Sequence, residues 1–262
     1  MATLVSFHAH PDDEAIGCGG TLAKASADGH RVVVVTATRG EHGNTPDGLL
    51  QPGEQLSQRR MAESLDAGRI LGVHRWEFLD YVDSGMMGWP ANTAPGSFWQ
   101  ADIEKAARSL AAILDEERAD VLTIYDPVGV SGHPDHIQVH RVGARAATLA
   151  GTPRVYEGTM NRTQIQRLVQ QAAQLGVAET RLDFDLDSFG TPEELITTTV
   201  DVRDYLPLKR RAMAAHASQI AESSLFLAMP PEVFAEVWGY EWFVRRGAPS
   251  GTRETGLFEA LA

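Results

Sequence analysis

The chain has 262 residues, 43% of them apolar, enough to bury one sizeable core with at most a modest appendage. A formal net charge of −12 argues against a nucleic-acid partner, because nothing here would neutralise a row of phosphates. No apolar run reaches the roughly 18 residues of a membrane span, the start (Met1-Ala2-Thr3-Leu4) lacks the basic residues of a signal peptide, and the single cysteine, Cys18, fits a cytoplasmic setting.

Residues 4–7 predict a short buried strand, and 14–27 a helix after it. The β-branched run at 31–37 predicts a second buried strand. A helix is expected over 55–71, closed by Gly72, with Leu56, Met61, Leu65 and Ile70 at roughly helical spacing. A third strand is expected at 76–79, a helix at 103–117, a fourth strand at 121–125 and, after a Gly/Pro loop, a helix at 137–149. Buried strands alternating with helices imply a mostly parallel sheet covered on both faces, an α/β fold with ligands at the strands' carboxyl ends.

Beyond residue 150 the pattern loosens. Residues 156–175 begin strand-like and become a helix rich in Gln and Arg. The acidic stretch 182–190 reads as loop, 197–202 as strand and 207–218 as helix. Residues 1–248 are expected to form one domain, with 155–248 its less regular part and 249–262 a loose tail. Loops 40–56 and 82–98, rich in Gly and Pro, suit lids or pocket walls.

Directly after the first strand stands His8-Ala9-His10-Pro11-Asp12-Asp13-Glu14; directly after the fourth comes Asp126-Pro127 and then His133-Pro134-Asp135-His136. Two imidazole-and-carboxylate clusters therefore leave the same edge of the predicted sheet. A catalytic zinc takes three such ligands, keeps a fourth position for water and lowers that water's pKa to about 7. A further carboxylate must accept a proton, and a donor must serve the oxyanion or the leaving amine. Asp12 and Asp13, about 100° apart at a helix start, suit different roles. The spacing His133-x-x-His136 puts two imidazoles on one face of a helical turn.

Each piece has a plainer reading alone. His-Pro-Asp-Asp could be a turn with an Asp cap, and surface histidines often meet the second spacing. At two strand ends together, the plain reading gives way. Cys18 reads as a small buried hydrophobe. Gly17, Gly19 and Gly20 fail the dinucleotide pattern at Leu22 and suit close packing of helix on sheet.

At these residues the chain resembles the LmbE-like (PIG-L) N-deacetylase superfamily, marked by Ala-His-Pro-Asp-Asp-Glu after strand one and a later His-Pro-Asp-His. The likeness covers roughly residues 3–160. It implies a Rossmann-like three-layer fold, metal ligation by His10, Asp13 and His136, Asp12 as general base and His133 as acid or oxyanion stabiliser. Zinc is the expected ion, although the donor set also accepts Fe(II).

Thr38-Arg39-Gly40-Glu41-His42-Gly43 and Arg60-x-x-Glu63 are similar to further family segments. Glu41 and Arg60 thereby become candidate substrate-binding residues, with Arg60 equally suited to pairing with Glu63 or Glu41. Asp83-Ser84-Gly85-Met86-Met87-Gly88 and Ala215-His216-Ala217-Ser218-Gln219 resemble the actinobacterial branch acting on mycothiol and its precursor, where the aspartate (here Asp83) contacts substrate. That branch carries a tyrosine two residues before the first His of His-Pro-Asp-His. Here Ser131 stands there, and its short hydroxyl leaves more of the oxyanion stabilisation to His133 and the metal.

The expected activity is removal of an acetyl group from an N-acetylated amino sugar or glycoconjugate. The alternatives are an amidase of mycothiol-type thiol conjugates and a non-catalytic Rossmann-like metal- or sugar-binding module. A small-molecule partner is expected, and a homo-oligomer is left open.

Overall fold

A computed structural model describes residues 1–174 and 189–261. Strands β1 (Thr3–His8), β2 (Arg31–Thr38), β3 (Arg75–Tyr81), β4 (Val121–Tyr125), β5 (Arg154–Thr159), β6 (Thr198–Asp201) and β7 (Tyr240–Arg245) form a seven-stranded sheet in the order β3-β2-β1-β4-β5-β7-β6. The pairs from β3 to β5 are parallel; β7 runs antiparallel to both neighbours. The chain winds outward from β1 to β3 and then crosses back to β4. The strand order therefore reverses between β1 and β4, and a crevice is left at their carboxyl ends.

The sheet is covered on both faces, so β1, β2 and β4 are buried along almost their whole length and are mostly apolar, without the alternation of a half-exposed strand. Alternate residues serve two different cores. Leu4, Val32, Val34 and Val121 face helices α1 (Asp13–Ala27), α2 (Leu56–Leu71) and α7 (Leu206–Ala215). Val5, Phe7, Val33, Val35, Leu122 and Ile124 face α3 (Ile103–Glu117) and α5 (Pro134–Ala150). A four-residue turn of helix, α4 (Gly129–Gly132), precedes α5. The chain also forms α6 (Arg162–Gln174), α8 (Leu225–Ala228) and α9 (Pro231–Trp238). Among the described residues no helix is long and apolar enough to cross a membrane.

Several boundaries move for local reasons. Helix α5 begins three residues before the expected start, because His133 caps it by accepting the Asp135 N–H and Pro134 occupies its first position. Helix α7 stops at Ala215, so the motif residues His216, Ser218 and Gln219 lie in the loop after it. The acidic stretch 182–190 lies outside the described residues except for Phe189 and Gly190.

Strand β7 and helix α9 have no counterpart in the sequence reading. Yet Trp242, Phe243 and Val244 are strand-favouring types, and β7 completes the sheet beyond β5. The tail, expected to be loose, is anchored instead. Glu254 accepts from Thr198 Oγ1 (2.8 Å) and Tyr156 OH (3.2 Å) and pairs with Arg245. Leu257 is buried, and Phe258 stacks on His30.

Helix α1 is broken at Cys18 (φ −146°), which is buried as expected. Glu241 of β7 accepts the N–H groups of Gly20 (2.9 Å) and Thr21 (2.7 Å) there, and Lys209 Nζ lies 2.5 Å from the same carboxylate. Of the three glycines, Gly20 is the one that close packing requires: an added Cβ would lie 2.5 Å from Val202, whereas Gly17 faces open space.

Candidate active site

The site is built where β1 and β4 end. Thr38, ending β2, donates its N–H and its hydroxyl to Ala9 O, which fixes the backbone just before His10. Beneath it, Ser6 Oγ contacts His8 Nε2 (2.7 Å) and Thr123 Oγ1 (2.6 Å), and His8 Nδ1 contacts Tyr125 OH (2.9 Å). This polar seam ties β1 to β4. Burial pushes the His8 pKa down, and both ring nitrogens are engaged, so His8 acts in support.

Asp13 stands between the two motifs. Its Oδ2 is 3.4 Å from His10 Nδ1, and its Oδ1 is 3.4 Å from His136 Nε2. Donors held about 2.1 Å from one tetrahedral zinc are roughly 3.4 Å apart, so the spacing suits a shared ion. His10, His133 and His136 each offer a ring nitrogen within 4.8 Å of the others, as do His10, Asp83 and Asp135 with one atom apiece. Buried Asp135 Oδ1 has no hydrogen-bond partner, and the donors are nitrogen and oxygen throughout. These residues fit a divalent metal.

Asp12 adopts φ 101°, a conformation that L-residues avoid and a local cost of about 1–3 kcal/mol. Glu14 Oε2 accepts the Asp12 N–H (3.0 Å), and Arg60 Nη2 lies 3.4 Å from its carboxylate. Burial raises the Asp12 pKa to about 6, against the opposing pull of Arg60. Such a carboxylate is suited to proton transfer near neutrality. Burial and the neighbouring His10 and His136 rings push the His133 pKa down to about 4, which keeps its ring neutral. Its Nδ1 accepts the Asp135 N–H (3.2 Å), leaving Nε2 as the N–H donor.

Arg60 is committed to the backbone as well as to Asp12, donating to Gly40 O (2.9 Å) and Pro11 O (2.5 Å). Glu63 instead accepts from the N–H and hydroxyl of Ser218. Glu41 accepts the Asp83 N–H (3.0 Å). Asp83 in turn lies 3.5 Å from His10 Nε2 and accepts the N–H groups of His42 and Gly85. Although burial opposes it, the His10 ring and those N–H groups hold the Asp83 pKa well below the carboxylate range.

Asp135 had no role in the sequence reading. Fully buried, it accepts from Ser84 N–H (2.9 Å) and lies 3.2 Å from His10 Nε2, which orients that ring. Its place inside His-Pro-Asp-His was the available signal.

Two cavities adjoin the cluster. A polar one of about 230 Å³ is bordered by His10, Asp12, Arg60, Asp83 and His133; a second of about 130 Å³ is bordered by Asp13, Ser131 and His136. A larger open hollow of about 790 Å³, beside Arg245, Arg246 and Arg253, contains none of the motif residues.

A fold wound around this switch point, with a buried carboxylate of raised pKa beside clustered side chains able to hold a metal, has the arrangement of a metal-assisted hydrolase. The pattern of the GlcNAc-PI de-N-acetylase (PIG-L) family matches residues 5–147, and the chain belongs to that family. It is a deacetylase that hydrolyses an N-acetyl amide.

Its relatives include the 1D-myo-inositol 2-acetamido-2-deoxy-alpha-D-glucopyranoside deacetylases of Thermomonospora curvata (38% identical, covering 98% of this chain and 96% of the relative) and Acidothermus cellulolyticus (39%, covering 100% and 96%). Among solved structures, the N,N'-diacetylchitobiose deacetylase of Pyrococcus horikoshii has a similar fold. Its TM-score is 0.62 at 23% identity, covering 99% of this chain and 88% of that one.

Proposed function

We propose that His10, Asp13 and His136 hold a zinc ion, and that the substrate is an α-glycoside of N-acetylglucosamine such as the inositol glycoside named for the relatives. The reading rests on one observation: Asp13 lies 3.4 Å from both His10 and His136, while Asp12 and His133 border the cavity next to them. A bound zinc would supply a Lewis acid at the acyl carbonyl and lower the pKa of water there.

The rest of the chemistry falls to the chain. Asp12 accepts the proton of the attacking water as the C–O bond forms. His133 Nε2–H donates to the carbonyl oxygen where negative charge develops, so His133 serves as oxyanion stabiliser rather than acid. Protonated Asp12 then returns its proton to the nitrogen as the C–N bond breaks, releasing acetate and the amine.

In the polar cavity Arg60 and Asp83 border the sugar. Glu41 acts one step back, by holding the Asp83 backbone. The lone buried cysteine supports a cytoplasmic place of action.

The test is hydrolysis of the N-acetylglucosaminyl inositol glycoside by the purified protein, followed by amine release with and without chelator. Asp12→Asn should retain the metal at wild-type stoichiometry and lose turnover by about a hundredfold to ten-thousandfold, the range for loss of one acid–base group. Full turnover after chelation, or an Asp12→Asn protein as fast as wild type, would overturn the reading.

A further inference from the structure

The two cavities take up different parts of the cluster. His10, Asp12 and His133 border the polar one, and Asp13 and His136 border the other. No residue lines both, so the side chains read as metal ligands form the wall between them.

The second cavity is apolar in a specific sense. Ile16, Cys18, Ile124, Val130, Met160 and Phe243 face it. Several polar groups on its wall are already engaged, His8 with Tyr125 beside it and, behind the wall, Thr123 and His8 with Ser6 and Thr159 with Asp126. Ser131 adds only a short side chain, and the bare Gly17 leaves space in which a Cβ would meet nothing within 4 Å. Its volume of about 130 Å³ equals roughly four waters' share of liquid. A lone acetyl methyl would leave much of that unfilled.

A planar amide held in the trans form sends its nitrogen substituent and its acyl substituent to opposite sides. With the scissile carbonyl at the cluster and the sugar in the polar cavity, the acyl group is directed to the other side. We propose that this second cavity is an acyl-chain subsite, and that the protein hydrolyses N-acyl amino sugars with straight aliphatic chains of three or four carbons as well as acetyl. The proposal rests on the deacetylase reading above. The step is the same hydrolysis: water's oxygen bonds to the acyl carbon, the C–N bond breaks, and the proton passes to the amine, giving a short fatty acid. Burial of each added methylene should favour the longer chain by up to about fourfold.

The test uses the zinc-loaded protein and the N-acetyl, N-propionyl, N-butyryl and N-hexanoyl forms of one glucosaminyl inositol glycoside, with amine release as readout. Wild-type kcat/KM for the butyryl compound should lie within tenfold of acetyl or above it. Gly17→Leu, which adds bulk at the exposed rim of the cavity, should lower the butyryl-to-acetyl ratio at least tenfold. Ile16→Ala, which widens it, should raise the hexanoyl-to-acetyl ratio. Acetyl turnover with butyryl more than tenfold slower, or ratios unmoved in both variants, would overturn the subsite and leave the deacetylase reading standing. Turnover of none of the four would overturn both.

Discussion

Residues 1–150 and the stretch beyond 189 contribute to the site in opposite ways. The first region supplies every proposed ligand and proton-transfer group, all between His10 and His136, on short loops at strand ends. The second supplies none of these but grips the loops from behind. His216 Nε2 lies 2.7 Å from Glu14 Oε1, whose partner oxygen accepts the Asp12 N–H. Ser218 donates to Glu63 on the helix that carries Arg60. Glu241 accepts the N–H groups freed at the break in α1, the helix that begins with Asp13. The motif side chains come from positions close in sequence to strand ends, while this restraint comes from residues about 150 to 220 positions away.

If the later region is a clamp, breaking it should loosen the site without removing any ligand. The largest effect is expected at the buried Lys209–Glu241 pair, whose side chains are 0% and 2% exposed. Glu241→Gln leaves a lysine charge buried without its counter-charge and should cost about 3–5 kcal/mol. Denaturant unfolding measures this, and a cost under 1 kcal/mol would mean that α1 is held by packing alone.

Next comes the tail. Leu257→Ala should cost about 2–4 kcal/mol by opening a cavity under the β6 edge while leaving kcat for the acetyl substrate unchanged. A neutral effect on thermal unfolding would return the tail to the loose state expected of it.

The smallest effect in free energy, and the most informative, is at His216. His216→Gln should lower kcat about tenfold at constant KM, because Glu14 would hold Asp12 less firmly in its disfavoured backbone conformation. Burial opposes protonation of His216, but Glu14 raises its pKa above the ordinary 6.5. A raised pKa in the folded state gives stability that is fully present below about 6.5 and lost as pH climbs through the raised value. The stability gap between wild type and His216→Gln should therefore be widest near pH 6 and shrink in alkali. A gap that widens with pH would contradict the ion pair.

The parallel core and the two motifs were legible in the sequence because both are local signals. A buried strand reads as a near-continuous β-branched run, as at 31–37, and a motif loop follows its strand directly, as His10 to Asp13 follow β1. The structure keeps both. Strand β7 escaped notice because its three consecutive apolar residues sit between Glu241 and Arg245, without the alternation of a half-exposed strand. The tail escaped because its anchor, Glu254, finds its partners at positions 156, 198 and 245, which no local pattern reveals.

The sequence by itself determined the chemistry on offer: which side chains are present, that they follow strands, and that they match a deacetylase family. Only the tertiary structure decided which of them meet. It set Asp13 between His10 and His136, turned Asp135 from a bystander into the group that orients His10, and moved Glu41 behind Asp83. Contact between strand ends more than 100 residues apart depends on strand order, and strand order is fixed by how the two faces of the sheet are covered rather than by any short stretch of chain.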